Sequence, residues 1–107
     1  MENLLINEII KELLSDLKQK YPDFNGIYLF GSRVRSDFHI DSDYDIAILF
    51  DRIVNQRFKD EVIDIIYNYI LEFDIFIDVH IFNSQDIINP LTPFRTNIKK
   101  EGVFYEV

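Results

Sequence analysis

Apolar residues recur every three to four positions through the first twenty residues, and polar residues fill the positions between them. This period predicts an amphipathic helix, which ends before Pro22 because the residue before a proline is disfavoured in the α region. The same period predicts a second long helix over 56–73. Capping residues and prolines predict a short helix around 87–88 and a last helix over 94–100.

Three short apolar runs, over 27–30, 46–50 and 74–82, predict strands. The first run has four consecutive apolar residues, so we expect burial on both of its faces. The apolar tail, 103–105, is expected to pack against another part of the protein. Because helices and strands alternate through 107 residues without a linker or repeat, we expect one domain, residues 1–107, of the α/β (α+β) class, with helices on at least one face of a small sheet.

Charge and composition exclude several classes of function. Nineteen acidic residues against eleven basic ones give a net charge of −8, which disfavours a protein that grips long stretches of nucleic acid. The chain has no cysteine, so disulfides, thiolate catalysis and cysteine-bound zinc are excluded. No signal-peptide pattern and no apolar stretch of about 20 residues is present, so we expect a cytoplasmic protein without membrane contact.

A predicted buried strand ends in Gly31-Ser32 and is followed by a short helical turn. Such a turn offers a phosphate close backbone approach, free N–H groups and a hydroxyl. The alternative is an ordinary turn in which Ser32 caps the helix. Arg33 and Arg35 come next, and we expect them either to contact phosphate or to form an exposed basic face paired with nearby acids.

Asp43 and Asp45 stand two residues apart at the start of the second predicted strand. In extended backbone both carboxylates leave one face, with Cα atoms about 6.6 Å apart, so both reach one small cation. Magnesium uses one or two carboxylates together with substrate phosphates, whereas the alternative is a solvated acidic loop. A calcium loop beginning at Asp41 is excluded because its sixth position is Ile46 and its twelfth is Arg52, in place of Gly and Glu.

Asp78 interrupts an apolar predicted strand, where an unpaired buried charge is costly. We expect it either to bind the same cation as Asp43 and Asp45 or to form an ion pair with an arginine. The candidate arginines are Arg33, Arg35 and Arg52. His80 lies on the same strand face, and we interpret it as a partly buried histidine with a hydrogen-bond partner. Tyr44 points to the opposite face from its acidic neighbours, into the core.

Gly31-Ser32, a ten-residue spacer, Asp43-Tyr44-Asp45 and a later Ile77-Asp78-Val79 together resemble the minimal nucleotidyltransferase family of the DNA polymerase β superfamily. The likeness covers nearly the whole chain, although Ser36 stands where the small stand-alone members often have glycine. It implies the nucleotidyltransferase fold, a small mixed sheet flanked by helices. It also implies a magnesium-dependent enzyme that attacks the α-phosphorus of a nucleoside triphosphate and releases pyrophosphate.

The resemblance implies a role for each motif residue. The nucleotide-binding residues are Gly31, Ser32, Arg33 and Arg35. The catalytic and metal-binding residues are Asp43, Asp45 and Asp78, which would hold two Mg²⁺ ions beside ATP. Asp78 would also receive the proton of the attacking hydroxyl.

The resemblance also implies an acceptor. Stand-alone members are typically antitoxins paired with a HEPN-type ribonuclease toxin, and are thought to transfer AMP from ATP to a toxin tyrosine. We therefore expect a hetero-oligomer with such a toxin. Two alternatives stay open: a non-catalytic antitoxin that acts by binding the toxin, and transfer to a small-molecule hydroxyl such as that of an aminoglycoside.

Overall fold

The computed structural model describes residues 2–30 and 44–106. The elements in chain order are α1 (Glu2–Lys20), β1 (Phe24–Phe30), β2 (Tyr44–Phe50), α2 (Gln56–Phe73), β3 (Ile77–Asn83), α3 (Ser84–Ile88), α4 (Pro93–Glu101) and β4 (Val103–Tyr105). No helix of this described part is both long and apolar enough to cross a membrane.

The four strands form one mixed sheet in the order β3-β2-β1-β4. β1 pairs antiparallel with both β2 and β4, whereas β2 pairs parallel with β3. A parallel pair requires a crossover connection between its strands, and α2 supplies it here. The predicted fold class, a small mixed sheet flanked by helices, is confirmed.

Helices pack on both faces of the sheet, and alternate strand residues separate the two cores. The larger core contains the apolar faces of α1 and α2 together with Ile27, Ile46 and Ile48. A smaller cluster on the other face holds Ile87 of α3 and Ile98 of α4. The strand residues in this smaller cluster are Phe30, Ala47 and Leu49. β1 and β2 are therefore buried on both faces, as the apolar run at 27–30 predicts.

Both long helices lie where the apolar period places them, and the structure corrects where the predicted strands begin. β1 begins at Phe24, earlier than predicted, because Asn25 and Gly26 form part of the strand beside an irregular register. Gly26 permits the close approach of the Phe104 ring, because a Cβ atom on residue 26 would lie only 2.5 Å from a carbon of that ring. β3 begins only at Ile77, because Asp74 ends α2 in the left-handed conformation, with φ 52°.

The apolar tail forms a fourth strand, which the predicted alternation of elements lacks. β4 pairs with β1, placing Phe104 opposite Tyr28, and the two rings lie 4.7 Å apart. The expectation that this tail packs against the rest of the protein is confirmed. Its periodicity gave no indication of a strand because three residues are too few to show alternation.

Arg52 forms an ion pair with Asp23, which links the end of β2 to the start of β1. Its Nη2 donates to Asp23 Oδ1 at 2.7 Å, and the guanidinium carbon lies 4.0 Å from the centre of the Phe58 ring. The suggestion that Arg52 pairs with Asp78 is therefore wrong. The hydrogen bond from Arg52 lowers the pKa of the Asp23 carboxyl, against the opposing effect of partial burial.

This ion pair predicts a loss of stability in acid. Because the folded-state pKa of Asp23 is depressed, its contribution is present above the unfolded pKa of about 4 and disappears as the pH falls further. Asp23→Asn should lower the free energy of unfolding by about 0.5–1 kcal/mol near neutral pH, a surface-pair value because Arg52 is 38% exposed. Urea unfolding near neutrality and near pH 3 measures both effects. An equal difference between wild type and variant at the two pH values would contradict the assignment.

Candidate active site

Asp45 and Asp78 lie side by side at the starts of two adjacent parallel strands. The register of β2 with β3 pairs them directly, Asp45 opposite Asp78. Paired residues of neighbouring strands point to the same face and lie about 4.8 Å apart. Parallel pairing thus brings together two carboxylates that are 33 positions apart in the chain.

His80 completes a cluster of three polar side chains. One ligand atom from each of Asp45, Asp78 and His80 can be chosen so that all three lie within 4.8 Å of one another. Within this cluster His80 Nε2 lies 3.2 Å from Asp78 Oδ2, at hydrogen-bond distance. The interpretation of His80 as a partly buried histidine with a hydrogen-bond partner is confirmed, and that partner is Asp78.

Asp78 is not a buried charge, contrary to the expectation from its apolar neighbours in sequence. Its side chain is 57% exposed, because β3 lies at the end of the described sheet order and the residue faces out near its start. The apolar residues around it in sequence, Ile77 and Val79, belong to the opposite face, where they pack with the larger core. Avoidance of an uncompensated buried charge therefore does not explain the position of Asp78.

Adjacent carboxylates repel each other when both are ionised, and a shared cation or proton relieves that repulsion. The chemistry of this donor set fits Mg²⁺, because carboxylate oxygens are its preferred protein ligands and one or two usually suffice beside substrate phosphates. A modest side-chain rotation would bring oxygens now within 4.8 Å to a single ion, and the exposure of Asp78 permits it. Asp45 and Asp78 could therefore hold the ion.

The other predicted site residues lie outside the described part of the chain. These are Gly31, Ser32, Arg33, Arg35 and Asp43. Their roles stay predictions, as does the pairing of Asp78 with Arg33 or Arg35. Tyr44 lies in the larger core and is 5% exposed, which confirms that it points away from the acidic face.

Aromatic rings border the carboxylates, and sequence reasoning did not identify them as part of this region. Phe30 is paired with Asp45 on the side opposite Asp78. The Phe30 ring centre lies 5.7 Å from that of His80 and 5.7 Å from that of Phe94 at the start of α4. Alternation along a strand predicts which face each residue occupies. It does not predict that α4 packs against this face and brings Phe94 to Phe30 and His80.

A second acidic region lies elsewhere, between α1 and α2. A cavity of about 390 Å³ there is lined by Glu12, Ser15, Asp16, Asn68, Tyr69 and Glu72. Tyr69 donates a hydrogen bond to Asp16, and burial followed by this hydrogen bond raises the pKa of its hydroxyl. Among the described residues, no lysine or arginine lines this cavity. The cavity lies on the sheet face opposite Asp45 and Asp78.

If Asp45 and Asp78 hold Mg²⁺, the ion should stabilise the folded protein. Ligand at 100 times its dissociation constant adds about 2.7 kcal/mol to the free energy of unfolding, provided that the unfolded chain does not bind it. Asp78→Asn should abolish most of this Mg²⁺-dependent gain without lowering stability in EDTA, since it removes a repelling charge. Asp64→Asn, on the exposed face of α2, is the charge-matched control. Equal Mg²⁺ responses of all three proteins in thermal unfolding would exclude the site.

The chain is similar in sequence to a known domain family and to two archaeal proteins. Residues 10–105 match the nucleotidyltransferase domain family. Two proteins of Methanocaldococcus jannaschii, both provisionally named protein adenylyltransferases, are similar to the chain. MJ0141 is 36% identical over 80 residues, 74% of this chain and 81% of that protein. MJ0604 is 34% identical over 96 residues, 87% of this chain and 90% of that protein.

Two solved structures share the fold. A substituted form of the toxin–antitoxin pair MntA–HpeT superposes with a TM-score of 0.63 at 18% identity, covering 91% of this chain and 72% of that one. A toxin–antitoxin structure with AMP-PNP gives 0.64 at 20% identity, covering 91% and 73%. The fold agrees with the sequence match, and the resemblance carried by Gly31-Ser32, Asp43-Tyr44-Asp45 and Asp78 is confirmed: this chain belongs to the nucleotidyltransferase domain family.

Proposed function

We propose that the protein is an antitoxin that transfers AMP from ATP to a tyrosine hydroxyl of a HEPN-type toxin. The observation that carries the proposal is the direct pairing of Asp45 with Asp78 at the start of the parallel strands, in a chain of the nucleotidyltransferase family. Two carboxylates held on one face by the sheet supply what phosphoryl transfer demands of a protein, which is positioning and charge.

The sequence motif suggests the catalytic roles, and the geometry of Asp45 and Asp78 supports those of these two residues. Asp45 and Asp78, with Asp43 before them, would hold Mg²⁺, which when bound offsets the charge of the phosphates. Gly31 and Ser32 would bind the β- and γ-phosphates through backbone N–H groups and a hydroxyl.

Asp78 is suited to receive the proton of the attacking hydroxyl. A carboxylate oxygen at its exposed position is accessible to a hydroxyl that arrives on another protein. A bond forms between that hydroxyl oxygen and the α-phosphorus, and the bond from the α-phosphorus to the bridging oxygen breaks. Pyrophosphate leaves, the proton passes to an Asp78 oxygen, and AMP stays on the acceptor.

Four observations support the site and a protein acceptor from a toxin–antitoxin pair. The sequence relatives bear the name protein adenylyltransferase, and the solved neighbours are toxin–antitoxin complexes, one of them with AMP-PNP. In the other complex two aspartates at the spacing of Asp43 and Asp45 are exchanged for glutamate. A net charge of −8 favours association with a basic partner such as an RNA-cleaving protein.

One surface favours a second candidate, an antitoxin that acts by binding alone. α2 exposes Ile63, Tyr67 and Leu71 at four-residue intervals, which places them in one stripe. Acidic residues flank the stripe at Asp60 and Asp64. An apolar stripe with acidic borders suits a protein contact and requires no chemistry at Asp45 or Asp78.

Intact mass measurement tests the proposal. The protein is incubated with ATP, Mg²⁺ and the product of the neighbouring gene, which is expected to gain the mass of an adenylyl group on a tyrosine. Asp78→Asn should lower the rate by at least about 100-fold, the smallest typical contribution of acid–base catalysis. Asp45→Asn should also lower the rate, because it removes a carboxylate that would hold Mg²⁺. Glu8→Gln, at an exposed position of α1, should retain the wild-type rate.

Other outcomes separate the alternatives. A stable complex whose partner keeps its mass would support the binding antitoxin and contradict transfer. Modification of an added aminoglycoside in place of the protein would identify a small-molecule acceptor. Full transfer by both aspartate variants would contradict the assigned site.

A further inference from the structure

Phe94 presents a half-exposed aromatic ring beside the candidate active site. It is the second residue of α4, and 46% of its surface is exposed. Single exposed apolar side chains are common and need no explanation by themselves. This ring differs because two other rings fix it, Phe30 edge-on at 5.7 Å and His80 at 5.2 Å.

The sheet register places these rings next to the carboxylates. Phe30, Asp45 and Asp78 form one row across β1, β2 and β3. The next row on the same face is Tyr28, Ala47 and His80, about 6.6 Å further along the strands. Because Phe94 contacts one member of each row, Phe30 and His80, it lies over the sheet beside the acids.

A small residue makes this arrangement possible. Ala47 lies between Tyr28 and His80 in the second row and is fully buried in the same cluster as Phe30. A larger side chain there would occupy the space across which Phe30 and His80 approach each other at 5.7 Å. Exposure rises from Phe30, at 9%, through His80 to Phe94, so Phe94 offers most of the accessible ring surface.

We propose that Phe94 binds the purine base of the nucleotide by stacking. The inference rests on the proposed function, in which the phosphates meet Asp45 and Asp78. The ribose separates the base of a nucleotide from its α-phosphate, so the base belongs beside the carboxylates, where Phe94 lies. Aromatic rings stack on nucleobases without requiring a particular sequence of donors and acceptors. A ring already fixed by Phe30 and His80 loses little freedom when the base arrives.

Calorimetric titration of ATP and of inorganic tripolyphosphate, both with Mg²⁺, tests this role. Phe94→Leu keeps an apolar side chain but removes the ring, and should weaken ATP binding roughly 5- to 150-fold, the range of one base stack. Tripolyphosphate lacks a base, so its dissociation constant should stay unchanged. Phe94→Trp keeps an aromatic ring at this position and should bind ATP with an affinity close to that of the wild-type protein. Phe104→Leu is the matched control, because Phe104 is 39% exposed and packs on Tyr28 at the other edge of the sheet.

The outcomes distinguish this inference from the proposed function. Wild-type ATP affinity in Phe94→Leu, while the wild-type protein binds ATP and transfers AMP, would overturn the stacking role alone. Equal losses for ATP and tripolyphosphate would also overturn it, since the ring would then support the carboxylates. Slower transfer at unchanged ATP affinity would assign the ring to the acceptor. Absence of ATP and tripolyphosphate binding by the wild-type protein would overturn both proposals.

Discussion

The parallel pairing of β2 with β3 is the constraint on which the candidate site depends. It brings Asp45 against Asp78 and, one row further, Ala47 against His80. A shift of the register by one residue would turn Asp78 to the opposite face, into the larger core where Ile77 and Val79 now pack. The apolar residues of β3 therefore hold the register that aligns the carboxylates.

α2 makes that pairing possible, because parallel neighbours need a crossover between them. The helix buries Phe58, Val62 and Ile66 and ends at Asp74 in a left-handed conformation, after which the chain enters β3. The helices α1 and α2 share one face of the sheet, while α3 and α4 pack on the other. The acidic side chains open on the α4 face, so one face of the sheet carries the larger core and the other carries the candidate site.

The strength of the repulsion between Asp45 and Asp78 depends on the position of β3 at the end of the described sheet. Two carboxylates within 4.8 Å disfavour each other in the absence of a cation. Exposure of Asp78 keeps that unfavourable interaction small, because water screens it. The same exposure leaves the Asp78 carboxylate accessible from outside the protein, as the proposed transfer to another protein requires.

Residue type and spacing predicted which face of the sheet several residues of the candidate site occupy, and strand order explains what they did not predict. Alternation along β2 correctly separated Tyr44 from Asp45, and the family pattern selected Asp78. The burial argument for Asp78 was wrong because an apolar run does not reveal that its strand has a neighbour on one side only within the described sheet. The place of Phe94 and the strand at the tail depend on contacts between residues far apart in the chain, which local periodicity does not encode. Gly31, Ser32, Arg33, Arg35 and Asp43 rest on the sequence pattern.

Paramagnetic broadening of backbone amide NMR signals tests the central claim most directly. Mn²⁺ shares the preference of Mg²⁺ for oxygen ligands and can replace it in the presence of ATP. Broadening should be strongest around 45–47 and 78–80 and extend to Phe94. The competing acidic region is the cavity between α1 and α2, lined by Glu12, Asp16 and Glu72. Strongest broadening at those residues, with sharp signals at Asp45 and Asp78, would contradict the account.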